Sequence, residues 1–339
     1  KLNMLFQVFL WLNDLSALGN FKSKKLVYNW LGLWLETYDL YQDFKNPLKT
    51  IADRLVNVAR NIILIEQSLS DSQRKRLIQI VCLELRCLQM LESMFLPNYE
   101  RFRVLVGIYY GLMMLDFDKE KIITVQKKLI EVLSTIIDKK GAIISRNPEQ
   151  LLEIFFVLSE ILKNSKAKCY SRNRKDFLAM QRRIAPILRG LRLGSGGLTR
   201  IHGGDIGISG LADKLLCESR LRGGSKSVDV LGVERLTAGR LVLLLDCGEP
   251  PSNSDNAHAA CLSFELSSGQ RPIFVNCGPG ARFGKDYKRF CRTTRAHNTC
   301  SLEGISQSEF KQTVTGSVFP AEVISRGPKN IKKQRGKNT

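Results

Sequence analysis

Three histidines occur in this chain of 339 residues, and two of them, His258 and His297, fall within one short polar region. His258 lies in NAHAACLSFE, residues 256–265, and His297 in RTTRAHNTC, residues 292–300. Neither belongs to a periodic apolar face. Each stands beside a strand-like run, so the two read either as partners in one polar site or as unrelated histidines satisfied separately. An imidazole can take up a proton, release one or ligate a metal near neutral pH. His202 lies in the Gly-rich stretch GSGGLTRIHGGDIGISG and reads as a loop residue at a domain boundary. Tyr287, in the loop-like segment KDYKR, stands ten residues before His297 and can reach a bound molecule. Arg292 and Arg295 alternate along the run entering His297. Such guanidinium groups either meet a carboxylate bidentately or form surface ion pairs.

The charge balance narrows the partners. Fifty-two Lys and Arg against 32 Asp and Glu give a formal net charge of +20, which points to nucleic acid, an acidic membrane surface or an acidic polysaccharide. Residues 181–200 hold five Arg and no acid, and residues 310–339 hold seven Lys or Arg against Glu322 alone. No aromatic-interleaved basic sheet, zinc-finger spacing or helix-turn-helix signature supports nucleic-acid binding. The Gly-rich stretch lacks the GKS or GKT of a phosphate loop and reads as tight turns. Nine cysteines, odd in number and without a CxxC, fit free thiols in a reducing compartment better than a disulfide scaffold. No apolar run is long enough to span a membrane.

The elements that must position these residues change character along the chain. Residues 1–193 read as helical. Leu77, Val81, Leu85, Leu88 and Leu91 recur on one face of a helix opened by a Ser70–Gln73 capping box, with Pro97 in or before the next loop. Further helices are expected over 102–115, 119–137, 149–162 and 176–193, the last running across Pro186. Residues 194–227 form a Gly-rich crossing. From 228 to 320 strands are expected over 228–236, 240–247, 261–266, 272–277 and 298–302, antiparallel because no helices cross between them. Residues 321–339 read as a basic disordered tail, and the β domain as truncated.

Taken together, DNAHAACLSFE, VNCG and AHNT make the chain resemble the heparinase II/III-type polysaccharide lyases, including alginate-lyase-like members, over most of residues 10–305. The resemblance implies an α+β multidomain fold: an incomplete α/α toroid followed by a sandwich-like antiparallel β domain. The family's Gly-His-Ala-His-x-Asp-Ala-Leu-Ser-Phe-Glu segment lies over residues 255–265, its Val-Asp-x-Gly turn over Val275–Gly278, and its His-Asn-Thr motif over His297–Thr299. Its Asn-His pair falls on Asn98 and Tyr99, and its Arg-Ser-Pro-x-Tyr segment on 146–150, ending in Gln150.

Such lyases break the bond next to a uronic acid by β-elimination. The carboxylate is neutralised by a donor, and a Tyr or His removes the C5 proton. The resemblance therefore implies catalytic roles for Asn98, Tyr99, Gln150, Asn256 and Tyr287, substrate contacts from Arg292, Arg295 and His202, and a structural zinc at His258, Asn276 and His297. Several positions depart from the pattern. Tyr99 and Asn256 replace histidines, Gln150 replaces a tyrosine, and Asn276 replaces an aspartate, which leaves a weak or vestigial metal site. The expected partner is an acidic polysaccharide or oligosaccharide. Three readings stay open: a lyase, a non-catalytic carbohydrate-binding descendant, and a basic protein associated with nucleic acid or the envelope.

Overall fold

The computed structural model describes the chain except residues 1–3, 39–46, 94–97, 117, 165–171, 206, 209, 222–227, 253, 314–320 and 335–339. Pro97 thus lies outside the described residues, as do parts of the Gly-rich crossing and of the tail. The chain divides into two compact units, 1–133 with 168–173, and 134–167 with 174–339. The division falls well before the point where helical periodicity gives way to strands.

The first unit is all helical: α1 (Met4–Gln7), α2 (Trp11–Leu18), α3 (Phe21–Thr37), α4 (Pro47–Arg60), α5 (Ile62–Ser68), α6 (Asp71–Leu91), α7 (Asn98–Met114) and most of α8 (Lys119–Ile136). Helix α6 begins at the capping box read from the sequence, with the Ser70 and Gln73 side chains each bonded to the other's backbone. Its stripe Leu77, Val81, Leu85 and Leu88 is buried. Helices α4 and α7 pack closely because Gly107 presents no side chain: a Cβ there would lie 2.7 Å from Ala52 Cα. A buried ion pair ties α4 to α6, Arg54 Nε donating to Glu84 Oε1 at 2.9 Å. The guanidinium also covers the Trp34 ring, and Tyr38 donates its hydroxyl to the same carboxylate.

The second unit contains α9 (Pro148–Asn164), α10 (Arg174–Gly190), α11 (Leu211–Glu218), α12 (Lys285–Cys291) and all the strands: β1 (Val233–Ala238), β2 (Leu241–Asp246), β3 (Phe264–Ser268), β4 (Arg271–Phe274), β5 (Glu309–Thr313) and β6 (Ala321–Arg326). Pro148 opens α9, where its missing N–H costs nothing, and α10 continues through Pro186. Strands β1 to β4 form an antiparallel sheet in sequence order, and β5 pairs with β6 in a second, two-stranded sheet. The fold is therefore an α-helical region of the α/α-toroid class followed by a small, sandwich-like antiparallel β domain not closed into a barrel. At the β4 edge Pro272 stands opposite Ser267, next to an irregular register. Among the described residues no helix is long and apolar enough to cross a membrane.

Five local readings differ from the structure. Residues 228–231 form a 3-10 turn, and β1 begins only at Val233. The crossing contains α11. Residues 298–302 form no strand, and α12 occupies the segment read as the loop around Tyr287. Ala321–Arg326, within the stretch read as tail, form β6, with Val323 and Ile324 buried. Eight described cysteines are free; three are buried and three exposed.

Candidate functional site: a buried polar cluster in the β domain

The second unit brings His202, His258 and His297 together, with ring centroids 6.1 Å apart for the first two and 4.8 Å for the last two. The elements explain the gathering. The polar end of β2, Asp246, faces inward with Glu265 of β3, and both are buried. Gly203 makes the close approach possible. Its φ of 85° suits glycine, and a Cβ there would lie 2.5 Å from Asn256 Cβ. Its amide donates to His258 Nε2 at 3.0 Å.

Arg146 and Asp246 were not picked out as site residues by sequence reading, yet they organise the cluster. Arg146 is buried at φ 56°. It donates to the carbonyls of Leu231 at 2.7 Å and Glu249 at 2.9 Å, and pairs with Asp246. Burial alone would raise the Asp246 pKa. Arg146 and His202 outweigh it and bring the pKa down to about 2. Arg146 Nη1 also lies 2.7 Å from His202 Nε2, while His202 Nδ1 faces the His258 amide at 3.2 Å. His202 Nε2 also lies 3.1 Å from Asp246 Oδ2. A neutral imidazole has one N–H and one lone pair, so the ring that donates from Nε2 to Asp246 accepts the His258 amide on Nδ1, and the Arg146 approach is an electrostatic contact. Burial and then Arg146 lower the His202 pKa, keeping the ring neutral.

Burial likewise takes His258 well below the usual histidine range, reinforced by His297 and His202. It lowers His297 to about 4. Both rings are neutral at pH 7. Asn276 is pinned between strands: its amide donates to Glu265 Oε1 at 3.0 Å, and its Oδ1 accepts the Asn298 amide at 3.1 Å. Asn298 in turn donates its side chain to the Val275 carbonyl at 2.9 Å and accepts the Phe264 amide at 3.1 Å. The His-Asn-Thr segment thus does a strand's stitching without being one, which accounts for its strand-like appearance in the sequence.

These hydrogen bonds test the zinc that the resemblance implies. Because His258 Nε2 accepts the Gly203 amide, the neutral ring carries its proton on Nδ1, and Nδ1 is buried without a partner. Because Asn276 Oδ1 is occupied, its Nδ2, a donor, is the unpartnered atom. Both His297 nitrogens are also unpartnered. Zinc needs lone pairs and gains most from charged ligands. This set offers mostly N–H groups and no carboxylate. Among the described residues no group of three His, Cys, Asp or Glu is placed to hold a metal. The residues as arranged do not fit zinc.

The other expected site residues are placed as follows. Gln150, in the first turn of α9, accepts the Ser145 hydroxyl at 2.5 Å. Asn147 caps that turn, its Oδ1 accepting the amides of Glu149 and Gln150. Asn256 is half-buried beside Gly203. Arg292 is 3% exposed and its guanidinium is committed, to the Ala257 carbonyl at 2.9 Å, the Glu322 carbonyl at 2.9 Å and the Glu322 carboxylate. It therefore holds the cluster's framework and leaves no free fork for a substrate carboxylate. Arg295 is exposed, and Tyr287 is exposed on α12. Asn98 and Tyr99 belong to the first unit, at the start of α7, with Asn98 exposed and the Tyr99 ring 5.8 Å from Phe102.

Comparisons with known proteins show what the fold is similar to. Residues 220–332 match the family described as heparinase II/III-like, C-terminal. A crystal structure of heparinase III superposes with a TM-score of 0.65 at 12% identity, covering 91% of this chain and 56% of that one. The BT4657 heparinase III gene product, with methylated lysines, gives a TM-score of 0.51 at 10% identity, covering 93% and 60%. A heparan sulfate lyase from Pedobacter heparinus gives 0.48 at 12% identity, covering 90% and 55%. The chain thus spans a little over half the length of these structures. No curated protein sequence matches it. Residues 220–332 thus resemble the heparinase II/III-like C-terminal family, and the chain shares the fold of heparinase III at low sequence identity.

Proposed function

We propose that the protein acts on acidic polysaccharides containing uronic acid, cleaving the glycosidic bond by β-elimination. The observation that carries this reading is the heparinase III fold over nine-tenths of the chain, combined with His258, Asn276 and His297 of the polar cluster lying inside the matched C-terminal region. In this reading Asn98 neutralises the uronate carboxylate, which makes the C5 proton removable. Tyr99 takes that proton. The electron pair forms the C4–C5 double bond, the C4–O bond breaks, and Tyr99 returns the proton it took to the leaving oxygen. His258, buried, and His297, half-buried with its ring nitrogens shielded, are neutral, hold the β-domain framework and transfer no proton. Gln150 and Asn256 hydrogen-bond sugar hydroxyls.

The test is incubation with uronate polymers, following the ultraviolet absorbance of the unsaturated product. Slow product formation that disappears in Tyr99→Phe is expected. Binding without product would favour the second reading, a non-catalytic carbohydrate-binding protein. That reading draws support from Gln150, an amide engaged by Ser145 where the family pattern has a tyrosine.

A further inference from the structure

We propose that the segment Ala281–Cys291 is a ledge that binds the acidic glycan by stacking sugar rings on exposed aromatics, beside the buried cluster. The proposal rests on the acidic-glycan reading above. Three large aromatic side chains emerge within eight residues: Phe283 is 74% exposed, Tyr287 58% and Phe290 54%. The Phe283 and Tyr287 rings pair, with centroids 5.5 Å apart and planes inclined at 51°. Leaving one such ring in water is ordinary, but three on one short segment form an apolar patch of the kind that marks a binding surface.

The charges around the rings choose the occupant. The segment ARFGKDYKRFC carries four cations and one acid, Asp286, and Arg295 is exposed just beyond it. Lys288 pairs with Asp255 at 3.1 Å and Arg289 with Glu322 at 3.4 Å. Partly exposed pairs of this kind are weak, so an anionic ligand can exchange into them. A pyranose ring offers a C–H face to an aromatic and carries its carboxylate on the edge, within reach of these cations. That combination of apolar face and anionic rim matches an acidic sugar.

The ledge is also fixed in place. Cys291 is buried, and Arg292, immediately after it, bonds to Ala257 and Glu322 and lies 4.5 Å from the Phe310 ring centroid. The Ala259 amide donates to the Arg292 carbonyl at 2.8 Å. The rings are therefore anchored to the backbone on both sides of His258, which lowers the ordering cost of binding.

The experiment measures affinity of the full chain for a size-defined uronate oligosaccharide, its carboxyl-reduced neutral counterpart and a single-stranded DNA oligonucleotide. Wild type, Phe283→Ala/Tyr287→Ala and Tyr287→Phe are compared, with circular dichroism and the thermal midpoint as folding controls. The double variant should lose about tenfold or more in affinity for the uronate ligand, with its fold intact. Tyr287→Phe should stay within about twofold of wild type, because the stacking face remains. The neutral counterpart should bind more weakly than the uronate ligand. Unchanged uronate binding in the double variant overturns the ledge and leaves the acidic-glycan reading standing. Absence of uronate binding in wild type overturns both. Tighter DNA binding that is lost in the double variant overturns the ledge in favour of a nucleic-acid surface.

Discussion

Arg146 and Asp246, one hundred residues apart, form a buried ion pair at the centre of the second unit. Arg146 joins the turn before α9 to residues 231, 246 and 249 and to His202. Removing one charge from such a pair strands the other without solvent. Arg146→Met should cost about 3–5 kcal/mol of stability, measured by urea unfolding. Arg146→Met combined with Asp246→Asn should cost clearly less than the single change. Equal losses would show that the carbonyl contacts, not the charge, hold the site.

Acid should unfold the protein early. Folded His202, His258 and His297 have pKa values below the unfolded histidine value, and Asp246 has one below the unfolded aspartate value. In each case the unfolded chain binds protons more readily. Their contribution is complete above pH 6.5 for the histidines and is lost as pH falls toward the folded values. Asp246 adds a loss below pH 3.8 that continues to about 2. For His297, held at about 4, the loss by pH 4 is roughly 3 kcal/mol. Urea midpoints at pH 7.5, 5.5 and 4.5 should fall in that order. A flat profile contradicts the neutral, buried assignment.

Zinc should not be retained at stoichiometric level after dialysis, as read by elemental analysis. Asn276→Asp should raise zinc retention, because an aspartate can keep the Asn298 amide on one oxygen and offer charge with the other. Stoichiometric zinc in the wild type would mean that His258 carries its proton on Nε2 and that the Gly203 contact is not a hydrogen bond.

Gly107→Ala should destabilise the first unit. The added Cβ falls 2.7 Å from Ala52 Cα and 2.9 Å from its Cβ, and backbone cannot swing aside as a side chain does. A loss of about 1–3 kcal/mol is expected from forcing α4 and α7 apart. Gly239→Ala is the comparison for crowding: it has no atom within 4 Å, though its φ of 56° adds backbone strain of its own. A thermal midpoint for Gly107→Ala equal to that of wild type would exclude the tight approach.

The helical half was readable because its signals are local. A capping box three residues wide and a repeating apolar stripe fixed α6, and Pro148 marked the start of α9. Strand β2 was equally plain, its run of aliphatic residues bounded by Gly239 and Gly248. Helix α12 was missed because seven residues with four charges have too few apolar positions to show a period. Strand β6 was missed because only Val323 and Ile324 in it are buried. The histidines were picked out by scarcity, and the structure gathers them. Arg146 and Asp246 escaped because each owes its role to a partner one hundred residues away. Two signals were available: Arg146 heads the segment matched to the family's Arg-Ser-Pro-x-Tyr, and an aspartate closes the apolar run LVLLLD, a charge where a strand turns inward.

The β4 edge has a consequence for how the molecule behaves at high concentration. An unprotected border strand invites another chain to extend the ladder, and Ile273 and Phe274, both exposed, would make this one adhesive. Pro272 has no amide hydrogen to offer a newcomer, Arg271 places a charge at the strand's start, and the neighbouring register is irregular. A second molecule therefore meets an interrupted template.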